Sequence, residues 1–125
     1  MEGVDYAYKE AFNWIAVIRL PDFVTREVFG WAVEEATAKK KIDCSIAEYF
    51  QVREGLCVQC LHVGSYDDEP ATVEAMDAFA REQGYEIDLS GERRHHEVYL
   101  SDARKVTPDK LRTIVRHPIK LAGED

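Results

Sequence analysis

The sequence predicts an α+β fold, with an antiparallel sheet that carries helices on one face. Two stretches repeat apolar residues at helical spacing, and each has its own start signal. The other apolar stretches alternate with a period of two and are bounded by turn residues. At 125 residues, 46% hydrophobic and 32% charged, the chain is long and apolar enough for a single folded domain over 1–125.

Charge and hydropathy exclude several classes of function. The formal net charge of −8 argues against a nucleic-acid surface, which needs Lys and Arg to neutralise phosphates. No apolar run approaches the roughly 20 residues of a membrane span, and the N-terminus lacks a signal-peptide pattern. Three cysteines, an odd number in no disulfide framework, fit a reducing compartment. We therefore expect a cytoplasmic protein without nucleic-acid or membrane partners.

The first two predicted elements are a strand and a helix. Residues 12–20 are apolar on both faces of a strand, and Pro21 closes it. Thr25 is a predicted N-cap, and the helix that follows extends to about Lys40. Trp31 falls on its apolar stripe, so we expect it in the core.

A hairpin is predicted next. Strands over 47–53 and 56–63 flank Gly55, which supplies the positive φ of a tight turn. Cys57 and Cys60 lie in the second strand, where residues three apart point to opposite faces with alpha carbons about 10 Å apart. A disulfide or zinc site is therefore not expected, and no cofactor is predicted.

The second half begins with a helix and continues as strands. Pro70 starts the helix, Met76 and Phe79 lie on its predicted core stripe, and Gly84 ends it. Two strands follow at 85–89 and 95–101. A short helical turn starts at Thr107, and a last strand covers 112–119. We expect His62 to be a hydrogen-bonded structural residue and His117 to be an exposed residue near the strand end.

Residues 95–101 have two unlike faces. His96, Val98 and Leu100 form the more apolar side, which we expect to pack under a helix. The other side carries the polar residues His95, Glu97, Tyr99 and Ser101. A carboxylate between a histidine and a tyrosine is a candidate ligand site, although an ordinary solvated sheet face has the same pattern.

Three stretches carry a resemblance to a known family. They are 20–25 (LPDFVT), 55–66 (GLCVQCLHVGSY) and 95–102 (HHEVYLSD). Together with 111–118 they resemble the GyrI-like small-molecule-binding family, whose members act as ligand-sensing domains of multidrug-responsive regulators or stand alone. Ala103 replaces the proline usual after Ser-Asp in that family.

The resemblance implies two strand-helix-strand-strand repeats that enclose a cleft. A buried glutamate at the position of Glu97 faces this cleft among aromatic rings and engages cationic or electrophilic ligands. In a similar stand-alone branch, that glutamate is implicated in the hydrolytic opening of cyclopropane-bearing, DNA-alkylating compounds. The strand that contains Trp14 resembles that branch's cleft wall.

Most of the first repeat is absent by comparison with stand-alone relatives, because only about eleven residues precede the strand that starts at Phe12. Half of the cleft would then be open, with Phe12 and Trp14 on an exposed apolar face. We expect a homodimer that covers it. A truncated or diverged form is the alternative.

The predicted ligand site consists of one carboxylate and the rings around it. Its members are Glu97, Tyr99, Trp14, Tyr66, Phe12 and His95. The leading hypothesis is a stand-alone binder of hydrophobic, cationic or electrophilic small molecules. A cyclopropane hydrolase with Glu97 and Tyr99 as catalytic residues is the second hypothesis, and a protein-interaction module is the third.

Overall fold

The computed structural model describes residues 15–123. Within them lie two α-helices and a four-stranded antiparallel sheet, which confirms the predicted α+β class. The helices are α1 (Arg26–Lys40) and α2 (Glu69–Glu82). The strands are β1 (Cys57–Val63), β2 (Tyr85–Ile87), β3 (His96–Tyr99) and β4 (Arg112–Leu121). Two 3-10 turns, Tyr66–Asp68 and Pro108–Lys110, precede α2 and β4.

Strand β4 is the centre of the sheet. It pairs with β1 along 112–118, and the same strand pairs with β3 through 113–116 and with β2 through 119–121. Arg93 stabilises the chain next to the sheet. Its guanidinium donates to the carbonyl oxygens of Glu54 and Leu56 and to the Asp88 carboxylate. Two chain segments distant in sequence, 54–56 and 88–93, are thereby held together.

The core lies between α2 and one face of the sheet. Val73, Met76 and Ala80 point inward from α2 at helical spacing, as predicted, and pack against Val58 and Val115. We call this side of the sheet the inner face and the opposite side the outer face. Phe79, which was predicted in the core, is exposed instead because it lies outside that stripe.

Residues 15–53 form a separate compact unit around α1. Thr25 caps the helix, as predicted, by accepting a hydrogen bond from the Val28 backbone N–H at 3.2 Å. Lys41 ends it in the left-handed conformation, with φ of 54°. Tyr49 returns to the helix start, where its ring packs against Phe29 with centroids 5.6 Å apart.

Three predictions for this unit were wrong. Residues 15–20 and 47–53 are not strands, because within residues 15–123 no strand pairs with their backbone groups. Trp31 is 62% exposed, and α1 buries none of its residues. The part of the first predicted strand that holds Phe12 and Trp14 lies outside the described residues.

Other predictions for the second half were confirmed. Gly55 and Gly84 have positive φ, although Gly55 does not close the predicted hairpin. The helical turn after Thr107 is present. Within residues 15–123, no helix is both long and apolar enough to cross a membrane.

Candidate functional site

The register of the sheet decides which side of β3 faces α2. Glu97 pairs with Val115, and Tyr99 pairs with Thr113. Paired residues in an antiparallel sheet share a face, and Val115 and Thr113 are buried in the core layer. Glu97 and Tyr99 therefore lie on the inner face. The prediction that Val98 and its neighbours pack under a helix was wrong, because β3 pairs in the opposite sense to the one that its hydropathy suggested.

Glu97 is the centre of a cluster of polar groups on this inner face. Its side chain is 20% exposed. Oε2 accepts a hydrogen bond from the Tyr99 hydroxyl at 2.8 Å, and Oε1 lies 3.5 Å from Nε2 of His95. The buried carboxyl group of Glu69, at the start of α2, also shares a hydrogen bond with Glu97. A hydrogen bond between two carboxyl groups requires a proton on one of them, because ionised carboxylate oxygens only accept.

These contacts keep Glu97 ionised. Burial alone would raise its pKa, but hydrogen bonds from His95, Glu69 and Tyr99 and the charge of His95 lower the pKa to about 2. Burial and the neighbouring Glu97 carboxylate raise the pKa of the Tyr99 hydroxyl above its usual range. Tyr99 therefore remains a hydrogen-bond donor at neutral pH.

Tyr99, which donates to the carboxylate, is one of two tyrosine rings that contact each other. Tyr66, in the 3-10 turn before α2, meets Tyr99 edge to face with ring centroids 5.8 Å apart. The Tyr99 side chain is exposed and Tyr66 is half-buried, so ring surface is open to a ligand beside Glu97. Tyr66, His95, Glu97 and Tyr99 are thus brought together, whereas Phe12 and Trp14 lie outside the described residues.

A buried chain of hydrogen bonds continues from His95 into the core. Nδ1 of His95 lies 2.7 Å from Nε2 of His117, and Nδ1 of His117 lies 2.7 Å from the carboxylate of Asp77 on α2. His117 is 0% exposed, so its prediction as an exposed residue was wrong. Its position on β4 places it in the inward-facing set with Val115.

Sequence reasoning missed three members of this network, Glu69, Asp77 and His117. Asp77 lies four residues after Val73 and therefore falls on the buried stripe of α2. A carboxylate at such a position needs a buried partner, which was the available signal. Glu69 gave no comparable signal, because an acidic residue in a first helical turn is ordinary.

His62 has a structural role, and the cysteines are unpaired. The Nε2–H of His62 donates to the Ser65 carbonyl at 2.7 Å, and Nδ1 accepts from the Thr72 hydroxyl at 2.6 Å, so the predicted structural role is confirmed. Cys57 and Cys60 are free thiols separated across the two sheet faces. No cluster of three metal-binding side chains occurs within 15–123.

Comparison with known proteins supports a ligand-binding role. The model of the family described as GyrI-like small molecule binding domain matches residues 21–120. No significant match is found among curated proteins.

Solved structures from Listeria innocua are similar over most of this chain. One, described as a hydrolase, is 44% identical with a TM-score of 0.77, over 82% of this chain and 52% of its own. Another, described as an uncharacterized conserved protein, is 45% identical with a TM-score of 0.77, over 82% and 50%. This chain spans about half of their length. The family match covers the whole cluster around Glu97, and we conclude that the chain belongs to the GyrI-like small molecule binding domain family.

Proposed function

We propose that this protein binds lipophilic organic cations, with the Glu97 carboxylate as the charge partner and the Tyr66 and Tyr99 rings as the apolar contact. The observation that supports this proposal most directly is a partly buried carboxylate that remains ionised beside open ring surface. Burial weakens the screening of the charge by water, and aromatic faces attract cations further. Neutral ligands of the same shape gain only the apolar part of this interaction.

The site places few demands on ligand shape. One charge and two ring surfaces are recognised by many flat or bulky cations, and we therefore propose binding of several unrelated compounds, as in multidrug sensing. His95, Phe12 and Trp14 remain proposed members of the site. We also propose a cytoplasmic location, because the three thiols are unpaired in a chain with no disulfide.

The test is a binding titration with tetraphenylphosphonium, using triphenylphosphine oxide as a neutral aromatic comparison. Calorimetry should show saturable binding of the cation and at least about tenfold weaker binding to Glu97→Gln, which corresponds to about 1.4 kcal/mol. Glu86→Gln is the matched control, because Glu86 is an exposed carboxylate on β2 that pairs with Lys120. Equal affinity of wild type and Glu97→Gln would contradict the proposal.

A hydrolase is the second candidate, favoured by the 44% identical structure described as a hydrolase. Glu97 would then act on a strained cyclopropane ring: water adds at a ring carbon, one ring C–C bond breaks, and its electron pair moves to a conjugated carbonyl that takes up a proton. A carboxylate with a pKa of about 2 is a weak general base, so this geometry favours binding over water activation. Ring-opened product from wild type but not from Glu97→Gln would reverse that preference.

We further propose that a second copy of the chain covers the outer face. Leu61, Ile114 and Val98 form an apolar row across β1, β4 and β3, and Leu61 is 45% exposed. A self-complementary apolar sheet face suits a symmetric dimer. Sedimentation equilibrium should give a dimer that Leu61→Lys dissociates. A wild-type monomer would contradict the dimer and favour the third function, an interaction module for another protein.

A further inference from the structure

The chain of side chains behind Glu97 has only one consistent set of hydrogen positions. A carboxylate only accepts hydrogen bonds, so Asp77 fixes the proton of His117 on Nδ1. Nε2 of His117 is then an acceptor, since burial lowers the pKa of His117 and keeps the ring neutral. His95 must therefore donate to it from its own Nδ1.

This direction leaves Nε2 of His95 facing Glu97. A neutral His95 with its proton on Nδ1 has only a lone pair on Nε2, and the nearest group is Oε1 of the Glu97 carboxylate at 3.5 Å. Two acceptors at this distance repel each other unless a proton lies between them. Because Glu97 is ionised, a proton on Nε2 of His95 would replace this repulsion with an ion pair.

We propose that His95 holds an exchangeable proton against Glu97 and that an arriving organic cation expels this proton, with His117 and Asp77 as positioning residues. This proposal rests on the proposed binding of cations at Glu97. The cation and the proton compete for one carboxylate, so binding of one must weaken binding of the other by the same factor. Neutral ligands do not compete and expel no proton.

The other ionisable groups at the site are accounted for. Glu69 shares a hydrogen bond with Glu97 from α2, and the Tyr99 hydroxyl donates to the second Glu97 oxygen from β3. Tyr66 contacts the Tyr99 ring, not the carboxylate. Within residues 15–123, His95 is the contact of Glu97 that can carry a positive charge.

The linkage between proton release and cation binding sets how strongly the cation affinity depends on pH. While the unliganded site holds the proton, each pH unit upward should strengthen cation binding by up to about tenfold. The gain ends once the unliganded site has lost its proton.

The experiment is calorimetry of tetraphenylphosphonium binding at about pH 6 in buffers of different ionisation enthalpy. The dependence of the observed heat on the buffer gives the number of protons released. We expect up to one proton per cation for wild type, none with triphenylphosphine oxide, and none with His95→Gln. His96→Gln is the matched control, because His96 is the next residue and faces the outer side near Glu54, and it should keep the proton release.

The outcomes distinguish the proton-release proposal from the proposed binding of organic cations. Cation binding that Glu97→Gln weakens, but without proton release by wild type at any pH between about 5 and 8, would overturn the role of His95 and leave the binding function intact. Release that persists unchanged in His95→Gln would also overturn it. Absence of cation binding by wild type would instead refute the binding function. The wild-type proton count stands even if His95→Gln fails to fold.

Discussion

The two faces of the sheet use polar residues in opposite ways. On the inner face, His117 and Asp77 are almost completely buried, and each polar atom of their contact has a specific partner. On the outer face, Arg116 spans Glu54 and Gln59, with the Glu54 side chain 38% exposed and open to water. The His117–Asp77 contact is shielded from water, whereas the Arg116–Glu54 contact is partly exposed and screened.

The difference between the faces explains why we propose the ligand site on the inner face. A carboxylate on the outer face would be hydrated and would discriminate poorly between cations and neutral molecules. Glu97 is on the inner face, where α2 and the histidine chain limit its access to water but one edge stays open. Fixed partners on this face hold the charge in place before a ligand arrives, which reduces the reorganisation that binding requires.

The largest expected contrast is in packing. Met76→Ala removes a buried side chain from the inner face and should lower the free energy of unfolding by about 2–5 kcal/mol. Leu61→Ala on the outer face should change it by about 0.5 kcal/mol or less in the monomer. Urea denaturation measures both. A large, concentration-dependent loss for Leu61→Ala would instead indicate that the outer face is covered by a second copy.

The polar contacts provide the next contrast. Asp77→Ala leaves the buried Nδ1–H of His117 without its acceptor and should cost about 3 kcal/mol of unfolding free energy. Glu54→Ala removes the exposed partner of Arg116 and should cost about 1 kcal/mol or less. Similar costs for the two variants would mean that burial does not distinguish the faces.

The sequence was sufficient to predict elements whose structure is determined by neighbouring residues. Helix α1 begins at the Thr25 cap and ends in a lysine-rich turn, and both signals lie within the segment. The strand predicted over 47–53 failed because alternation of apolar residues indicates a strand only if another strand pairs with it. Pairing is a property of distant residues, and the pattern alone does not supply it.

The candidate site was predicted only in part, because it too depends on pairing between distant residues. The alternation in β3 correctly separated Glu97 and Tyr99 from Val98, but it did not tell which set faces α2. Only the register with β4, which places Glu97 beside Val115, decides this. His117 was misassigned because its neighbours in sequence, unlike its neighbours across the sheet, suggested a strand end near solvent.

The inner face should also respond to pH. Burial lowers the pKa of His117, although its contact with Asp77 opposes this, so the unfolded chain binds a proton there more readily than the folded chain. The stability that neutral His117 contributes is therefore complete above about pH 6.5 and is lost as the pH falls below it. Urea denaturation from about pH 7 to 5 should show a steeper loss for wild type than for His117→Gln. His96→Gln, on the outer face, should keep the wild-type slope, and a shallower slope for this control would contradict the assignment.

The smallest effect is expected from one hydroxyl group at the site. Tyr99→Phe removes the donor to Oε2 of Glu97 while it keeps the ring that meets Tyr66. The pKa of Glu97 should rise from about 2 by about one pH unit or less, because one of several stabilising hydrogen bonds is lost. Carbon-13 NMR of the side-chain carboxyl group measures this pKa, and Tyr66→Phe, which keeps the ring that meets Tyr99, should leave it unchanged. At neutral pH Glu97 stays ionised in both variants, so cation affinity should change by less than about tenfold. A loss as large as that of Glu97→Gln would mean that the Tyr99 hydroxyl itself contacts the ligand.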